Sequence, residues 1–244
     1  MIATRFRLFL ILVSLFACDA LALPADSALV NAAAGGKIIG VVSVAGELAK
    51  PKPLPVFKSR SFCGASVPNE TMLVSADGQL RNAVVILRPL NAAVVAAQPA
   101  KIALDNQQCA FAPHVQVAPL GSELLLKNSD PILHTVHARL GRETLFNIGL
   151  PHWRRVSKLL DRAGIIRIDC DVLHTWMSAV IVVTDSPYYF VSNDKGEFFF
   201  DGIPSGDYEI EIWHERLGRQ SQRITVRDHD TTDVAVVFAQ VNQR

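Results

Sequence analysis

Three side chains that bind soft metals lie within eight residues in the second half of the chain. Cys170 supplies a thiol, His174 an imidazole and Met177 a thioether. These groups suit a soft or borderline metal, and copper above all. A blue-copper electron-transfer centre uses two histidines and one cysteine in a trigonal arrangement, with a weak axial methionine. The run therefore holds three of the four ligands of such a centre, and one histidine is missing.

The missing imidazole is predicted to come from a pair of histidines upstream. His134 lies 36 residues before Cys170, and His137 follows it three positions later. On a strand, side chains three positions apart face opposite sides, so only one of the two can point at the metal. We predict His134, with His137 as the rival or as a surface neighbour. The predicted metal site thus comprises His134, Cys170, His174 and Met177, and it holds one copper ion.

A scaffold of strands must position these groups. From Lys37 onward, short runs of β-branched residues alternate with glycines and prolines, a pattern typical of an all-β protein. Strands predicted over residues 165–168 and 179–183 flank the ligand loop. The weak helical signal over residues 153–162 is not taken as a helix. The chain contains no P-loop, no dinucleotide-binding glycine fingerprint and no H-E-x-x-H motif, and we expect it not to be an enzyme.

The N-terminus has the features of an export signal. Arg5 and Arg7 precede an apolar stretch of ten residues, 8–17, which is too short to span a bilayer. A small-x-small site at 20–22 predicts cleavage after residue 22, so that residues 1–22 are a signal peptide. An alternative is a lipid anchor on Cys18. Either way the mature protein is expected to be periplasmic or otherwise exported.

Export changes how the remaining cysteines are interpreted, because thiols outside the cytosol tend to be oxidised in pairs. If Cys170 holds metal, Cys63 and Cys109 are free to form a disulfide; the alternative is two reduced thiols. Cys63 lies within residues 47–68, where four prolines exclude a regular helix or strand. A loop of this length is usually functional or tied down. The net charge of +1 argues against a nucleic-acid partner.

Residues 100–185 resemble a cupredoxin domain of the plastocyanin and amicyanin family. Asn128 followed by His134 resembles the segment that carries the family's first histidine ligand. Residues 163–170 resemble the strand that leads to the cysteine, and residues 177–183 resemble the final strand. The resemblance implies a Greek-key sandwich and a mononuclear copper site.

The ligand loop departs from the plastocyanin pattern. Its Cys-x3-His-x2-Met spacing is closer to the lower half of the dinuclear copper loop in cytochrome oxidase. That dinuclear site needs a second cysteine four residues before Cys170, where this chain has Ile166. The prediction is therefore one copper ion.

The flanking segments resemble a second family. Asp194-Lys195-Gly196-Glu197-Phe198 and Pro204-Ser205-Gly206-Asp207-Tyr208 are similar to segments of carboxypeptidase regulatory-like, transthyretin-type sandwiches. We predict that residues 37–90 and 186–240 form a second, smaller transthyretin-like β-sandwich, split by the cupredoxin domain at 100–185. The alternative is an N-terminal extension packed on the cupredoxin. Exported proteins that resemble this pairing are often labelled methylamine-utilisation-like.

The leading functional prediction is a periplasmic type 1-like copper protein that carries single electrons between redox partner proteins. Cys170, His134 and His174 would bind strongly, and Met177 would tune the reduction potential. Two alternatives remain open. One is copper storage or delivery, and the other is a surface binding module with incidental copper.

Overall fold

The computed structural model of the chain describes residues 35–46, 51–92 and 95–239. The predicted signal peptide and Cys18 lie outside the described residues. Nearly all regular structure consists of strands, so the all-β prediction is confirmed. The described part contains one four-residue helix, α1 (Arg60–Cys63). No helix in that part is long and apolar enough to cross a membrane.

Eighteen strands follow one another along the described residues. The first nine are β1 (Gly36–Val44), β2 (Leu54–Pro55), β3 (Ser66–Val67), β4 (Val84–Pro89), β5 (Lys101–Gln107), β6 (Ala110–Ala112), β7 (Val115–Pro119), β8 (Ser122–Asn128) and β9 (His134–Leu140). The other nine are β10 (Glu143–Leu150), β11 (Arg155–Leu160), β12 (Gly164–Asp169), β13 (Ser178–Thr184), β14 (Tyr188–Val191), β15 (Glu197–Ile203), β16 (Gly206–His214), β17 (Gly218–Val226) and β18 (Thr231–Phe238).

Two of the sheets share the core that contains the predicted ligand loop. One has the strand order β10-β9-β12-β13-β7, and the other has the order β11-β8-β5-β6. Buried and less buried side chains alternate along β8 and β9, as expected for strands with one face on a core. The shared core includes Leu104, Leu124, Leu126, Val136, Ile168, Cys170, Trp176 and Met177.

The segments before residue 90 and after residue 186 pair with one another in two further sheets. Their strand orders are β15-β1-β18 and β14-β4-β16-β17. Strand β1 pairs antiparallel with β15 and parallel with β18. A second core fills these sheets with Ile38, Leu87, Phe198, Phe200, Tyr208, Ile210 and Phe238. The assignment of these segments to a separate, split domain stays a prediction.

A third apolar cluster contains residues from β4 and β16 together with residues from β7 and β13. Its buried members are Val84, Ile86, Val115, Val180, Val182 and Trp213. Strand β13 is buried along almost its whole length, because the ligand-loop core covers one face and this cluster covers the other. His114 and Glu215 form a buried ion pair beside the cluster, with side chains only 6% and 7% exposed.

The prediction that residues 47–68 contain no regular element is wrong in detail. Strands β2 and β3 pair antiparallel, with Leu54 opposite Val67, and α1 lies between them. The prolines limit β2 to two residues but do not prevent the pairing, because a proline at a strand edge withholds only one donor. The structure also contains the disulfide between Cys63 and Cys109.

Candidate metal centre

Three of the four predicted ligands converge at one point. The Cys170 Sγ lies 3.9 Å from the His134 Nδ1 and 3.7 Å from the His174 Nδ1. The two Nδ1 atoms are 3.0 Å apart. All three side chains are buried, with exposures of 4% or less. Among the histidine, cysteine, aspartate and glutamate side chains of the described residues, these three have ligand atoms close enough together to hold one ion, all within 4.8 Å of one another.

The spacing of the three donor atoms fits a single small ion. Imidazole nitrogens and thiolate sulfurs bind zinc-sized ions at about 2.0–2.3 Å. A planar trigonal site with such bonds has donor-to-donor edges of roughly 3.5–4.0 Å. Both sulfur–nitrogen edges fall in this range, and the nitrogen–nitrogen edge is shorter at 3.0 Å. Two imidazoles and one thiolate are also the strong ligands of a blue-copper centre.

Neighbouring strands bring the three donors together. His134 is the first residue of β9, and Cys170 directly follows β12. The two strands pair antiparallel, with Ile168 opposite Ala138, so the start of one lies beside the end of the other. His174 lies in the loop that joins β12 to β13, which are themselves paired. The register of β9 on β12 therefore sets the separation of His134 from Cys170.

A buried carboxylate orients His134. The Nε2–H of His134 donates to Asp130 Oδ2 at 2.9 Å, which leaves Nδ1 directed at the other two donors. Asp130 also accepts the backbone N–H groups of Gln108 at 2.7 Å and Cys109 at 2.8 Å. Burial lowers the pKa of His134, but the hydrogen bonds to Asp130 and Cys170 outweigh it, so the pKa lies above its usual value.

The Cys170 sulfur is surrounded by donors. The Thr135 backbone N–H lies 3.4 Å from Sγ, and the Thr135 hydroxyl lies 3.7 Å from it. Burial raises the pKa of the Cys170 thiol, but hydrogen bonds from His134 and Thr135 outweigh it, so the pKa is lower than usual. A depressed thiol pKa favours the thiolate, which is the form that binds metals.

His174 is held in the neutral form that a metal requires. Burial, followed by the positive charges of His134 and Lys58, lowers its pKa to about 4. Its outer nitrogen, Nε2, lies 3.3 Å from the hydroxyl of Ser59. The ring also packs against Trp176, with centroids 5.1 Å apart. Both imidazoles therefore have one nitrogen occupied by a partner and the other facing the cluster.

The rival histidine lies outside the converging group. His137 Nδ1 is 2.9 Å from Asp171, and its Nε2 is 2.8 Å from the Thr144 hydroxyl. Met177 is buried in the same core as Cys170 and donates its backbone N–H to the His174 carbonyl. Its role as an axial ligand stays a prediction.

Three supporting residues were not identified from the sequence. Asp130 and Thr135 lie close to His134 in the chain, but aspartate and threonine are common beside any turn. Ser59 is 115 positions away from His174. The proximity of Asp130 to His134, four residues apart, was the one available signal, since metal-bound histidines usually donate their second N–H to a carboxylate or carbonyl.

Neither a protein-family model nor a curated protein matches the sequence. Solved structures do show local similarity. The copper-containing nitrite reductase from Thermus scotoductus SA-01 is 20% identical over 40% of this chain, with a TM-score of 0.32. The match spans 25% of that enzyme's chain.

Two smaller proteins match over nearly their whole length. A purple cupredoxin from Nitrosopumilus maritimus is 20% identical over 35% of this chain and 99% of its own, with a TM-score of 0.31. A reduced amicyanin variant is 20% identical over 41% of this chain and 99% of its own, also with a TM-score of 0.31. Because these scores are low, the assignment of a metal depends on the converging side chains alone.

Proposed function

We propose that the protein is a mononuclear copper protein that carries single electrons between redox partners outside the cytosol. The observation that carries the proposal is the triangle of His134 Nδ1, Cys170 Sγ and His174 Nδ1, with edges of 3.0–3.9 Å. Copper held there would supply one-electron redox chemistry. The three side chains would bind the ion, and Met177 is proposed as the weak fourth ligand.

The surroundings of the triangle suit a carrier. Electron transfer is fast when the ligands move little between oxidation states, and here each donor is fixed by neighbours. Asp130 holds one imidazole, Ser59 holds the other, and Thr135 holds the sulfur. The burial of all three donors also disfavours delivery, which needs ligands that exchange metal quickly. We therefore propose a carrier rather than a delivery protein, and no catalytic role.

The proposal includes export and two sandwich domains. The disulfide between Cys63 and Cys109 supports export, because structural disulfides persist in oxidising compartments. The pairing of β1 with β15 and β18 supports a split second sandwich over residues 37–90 and 186–240. The carboxypeptidase regulatory-like character of that sandwich is part of the proposal.

The visible spectrum after Cu(II) addition tests the proposal. A carrier of this kind should bind one copper per chain and show an intense thiolate-to-copper band that reduction bleaches reversibly. The Cys170→Ser variant should keep its fold by circular dichroism and lose the band. Full copper occupancy in Cys170→Ser would overturn the assigned site. Tight copper binding with no thiolate band in the unmodified protein would favour storage.

A further inference from the structure

Residues 54–67, here called the cap, lie against the metal centre although they precede the cupredoxin-like segment. Val56 and Val67 are 3% and 6% exposed and belong to the same core as Cys170 and Met177. The disulfide from Cys63 to Cys109 ties the cap covalently to the turn between β5 and β6, whose residue Cys109 is buried in the same core. The cap is therefore a fixed part of the structure around the metal.

The cap covers the outer side of His174. The Ser59 hydroxyl lies 3.3 Å from the ring Nε2, and the Lys58 ammonium lies 3.3 Å from the Val172 carbonyl. His174 is 1% exposed, and His134 is fully buried. The third converging ligand, Cys170, is 4% exposed, so all three ligands are almost completely shielded from solvent. The shortest hydrogen-bonded connection from an imidazole to the outside runs from His174 to Ser59, and so into the cap.

The outer face of the cap combines apolar and positive side chains. Phe57 is 73% exposed and Phe62 is 43% exposed, while Leu173, next to His174, is 64% exposed. Lys58 and Arg60 flank Ser59 in the chain, and residues 51–68 contain no acidic residue. Neither cation forms an ion pair within the described residues. Aromatic residues and arginine are enriched in protein interfaces, and charged side chains at the edge of an interface steer partners of opposite charge.

We propose that the cap is the docking surface for an acidic protein partner, and that electrons would pass between this partner and copper held by His174, through the cap. The inference rests on the proposed electron-carrier function. Phe57 and Phe62 would form the apolar centre of the contact. Lys58 and Arg60 would speed encounter with a negatively charged surface and fix its orientation, as complementary charges do in other protein pairs.

Paramagnetic mapping on the metal-free, nitrogen-15-labelled protein tests the surface independently of copper. Hexacyanochromate(III), a redox-inert trivalent anion, should broaden amide signals of residues 57–62 and of Leu173. The Lys58→Glu/Arg60→Glu variant should lose this broadening. Lys195→Glu/Arg223→Glu changes the net charge equally at two exposed positions, one in the turn before β15 and one in β17, and it should keep the broadening.

A second basic surface provides the competing outcome. Trp153 is 80% exposed and is followed by Arg154 and Arg155. Broadening centred on these three residues would overturn the proposal, as would unchanged broadening in Lys58→Glu/Arg60→Glu. The metal-free protein should not sediment with phosphatidylglycerol vesicles. If it does, and Lys58→Glu/Arg60→Glu abolishes the sedimentation, the partner of the cap is a membrane surface and the proposed protein partner is overturned.

Electron exchange supplies the second readout. With copper bound, hexacyanoferrate(II) should reduce Lys58→Glu/Arg60→Glu at least about fivefold more slowly at low ionic strength than it reduces the control variant. The difference should shrink as added salt screens the charges. Equal rates for the two variants would overturn the cap as the route. Failure of the protein to bind copper would overturn the carrier function while leaving the mapped surface intact.

Discussion

Asp130 connects His134 to Cys109 through hydrogen bonds from both. Its carboxylate accepts the His134 Nε2–H at 2.9 Å and the Cys109 backbone N–H at 2.8 Å. Cys109 also accepts a hydrogen bond, since the indole N–H of Trp176 donates to its carbonyl at 3.0 Å. Trp176 in turn packs against His174. Cys109 in turn is bonded to Cys63 of the cap. One cysteine therefore links the surroundings of both imidazoles to the cap.

Replacing Asp130 by asparagine should weaken copper binding by about 10- to 100-fold, the usual effect of losing a partner of a metal-bound histidine. The amide cannot accept the His134 proton and both backbone N–H groups as strongly as a carboxylate does. Competition with a chelator of known copper affinity would measure the change. Asp201→Asn, at an exposed position in β15, serves as the control and should bind copper normally. Equal affinities would show that Asp130 does not orient the imidazole.

Removing the disulfide should destabilise the metal-free protein by about 4 kcal/mol, because the bond closes a loop with a sequence separation of 46 residues. Guanidinium unfolding of Cys63→Ala/Cys109→Ala would measure the loss. Chemical reduction of the unmodified protein is the control for side-chain truncation and should give a similar decrease. An unchanged unfolding midpoint after complete reduction would contradict the assigned role of the bond.

The local sequence was sufficient for several features. Cys170, His174 and Met177 lie so close in the chain that a single loop between two strands had to contain them all. Runs of β-branched residues predicted the strands on either side of that loop, over 165–168 and 179–183, and the structure has β12 and β13 there. With Cys170 set aside for metal, Cys63 and Cys109 were the two cysteines free to pair. Each of these signals extends over a few residues or depends only on residue type.

The sequence did not predict contacts between residues that lie far apart in the chain. Thr135 reaches the Cys170 sulfur because β9 pairs with β12 in one particular register, and Ser59 reaches His174 because the disulfide fixes the cap. Strands β10 and β11 were missed because most of their residues are exposed or half-buried and present no continuous apolar pattern. Tertiary pairing, rather than local preference, determines these elements.

Substituting Ser59 by glycine should release copper several-fold faster. The change removes the hydroxyl that occupies the outer nitrogen of His174. Ser59 has a φ of 58°, a left-handed conformation that glycine adopts without strain, so the backbone of the cap should not be disturbed. The rate of copper transfer to a chelator would measure the effect. Ser61→Gly, two residues away at an exposed position, is the matched control, and equal rates for both variants would contradict the prediction.

His214 should make the fold sensitive to acid. Its side chain is 1% exposed, and its Nε2 has no hydrogen-bond partner within the described residues. Burial comes first among the causes that lower its pKa to about 4; Glu215 opposes the shift, and His114 and Arg216 add to it. A histidine with a lowered pKa binds protons less well when folded than when unfolded. Its contribution to stability is therefore intact above pH 6.5 and is lost as the pH falls toward 4.

Replacing His214 by glutamine should remove this acid sensitivity. Between pH 6.5 and 4, the free energy of unfolding of the unmodified, metal-free protein should fall by roughly 3 kcal/mol more than that of His214→Gln. Urea unfolding at several pH values would measure both. The pKa of His114 is shifted the other way: the ion pair with Glu215 outweighs burial and raises it. His114 is present in both proteins, so it does not account for a difference between them. His229→Gln, at an exposed turn before β18, is the control, and its free energy of unfolding should change with pH as that of the unmodified protein does. The same pH dependence in His214→Gln would show that the buried imidazole does not control acid stability.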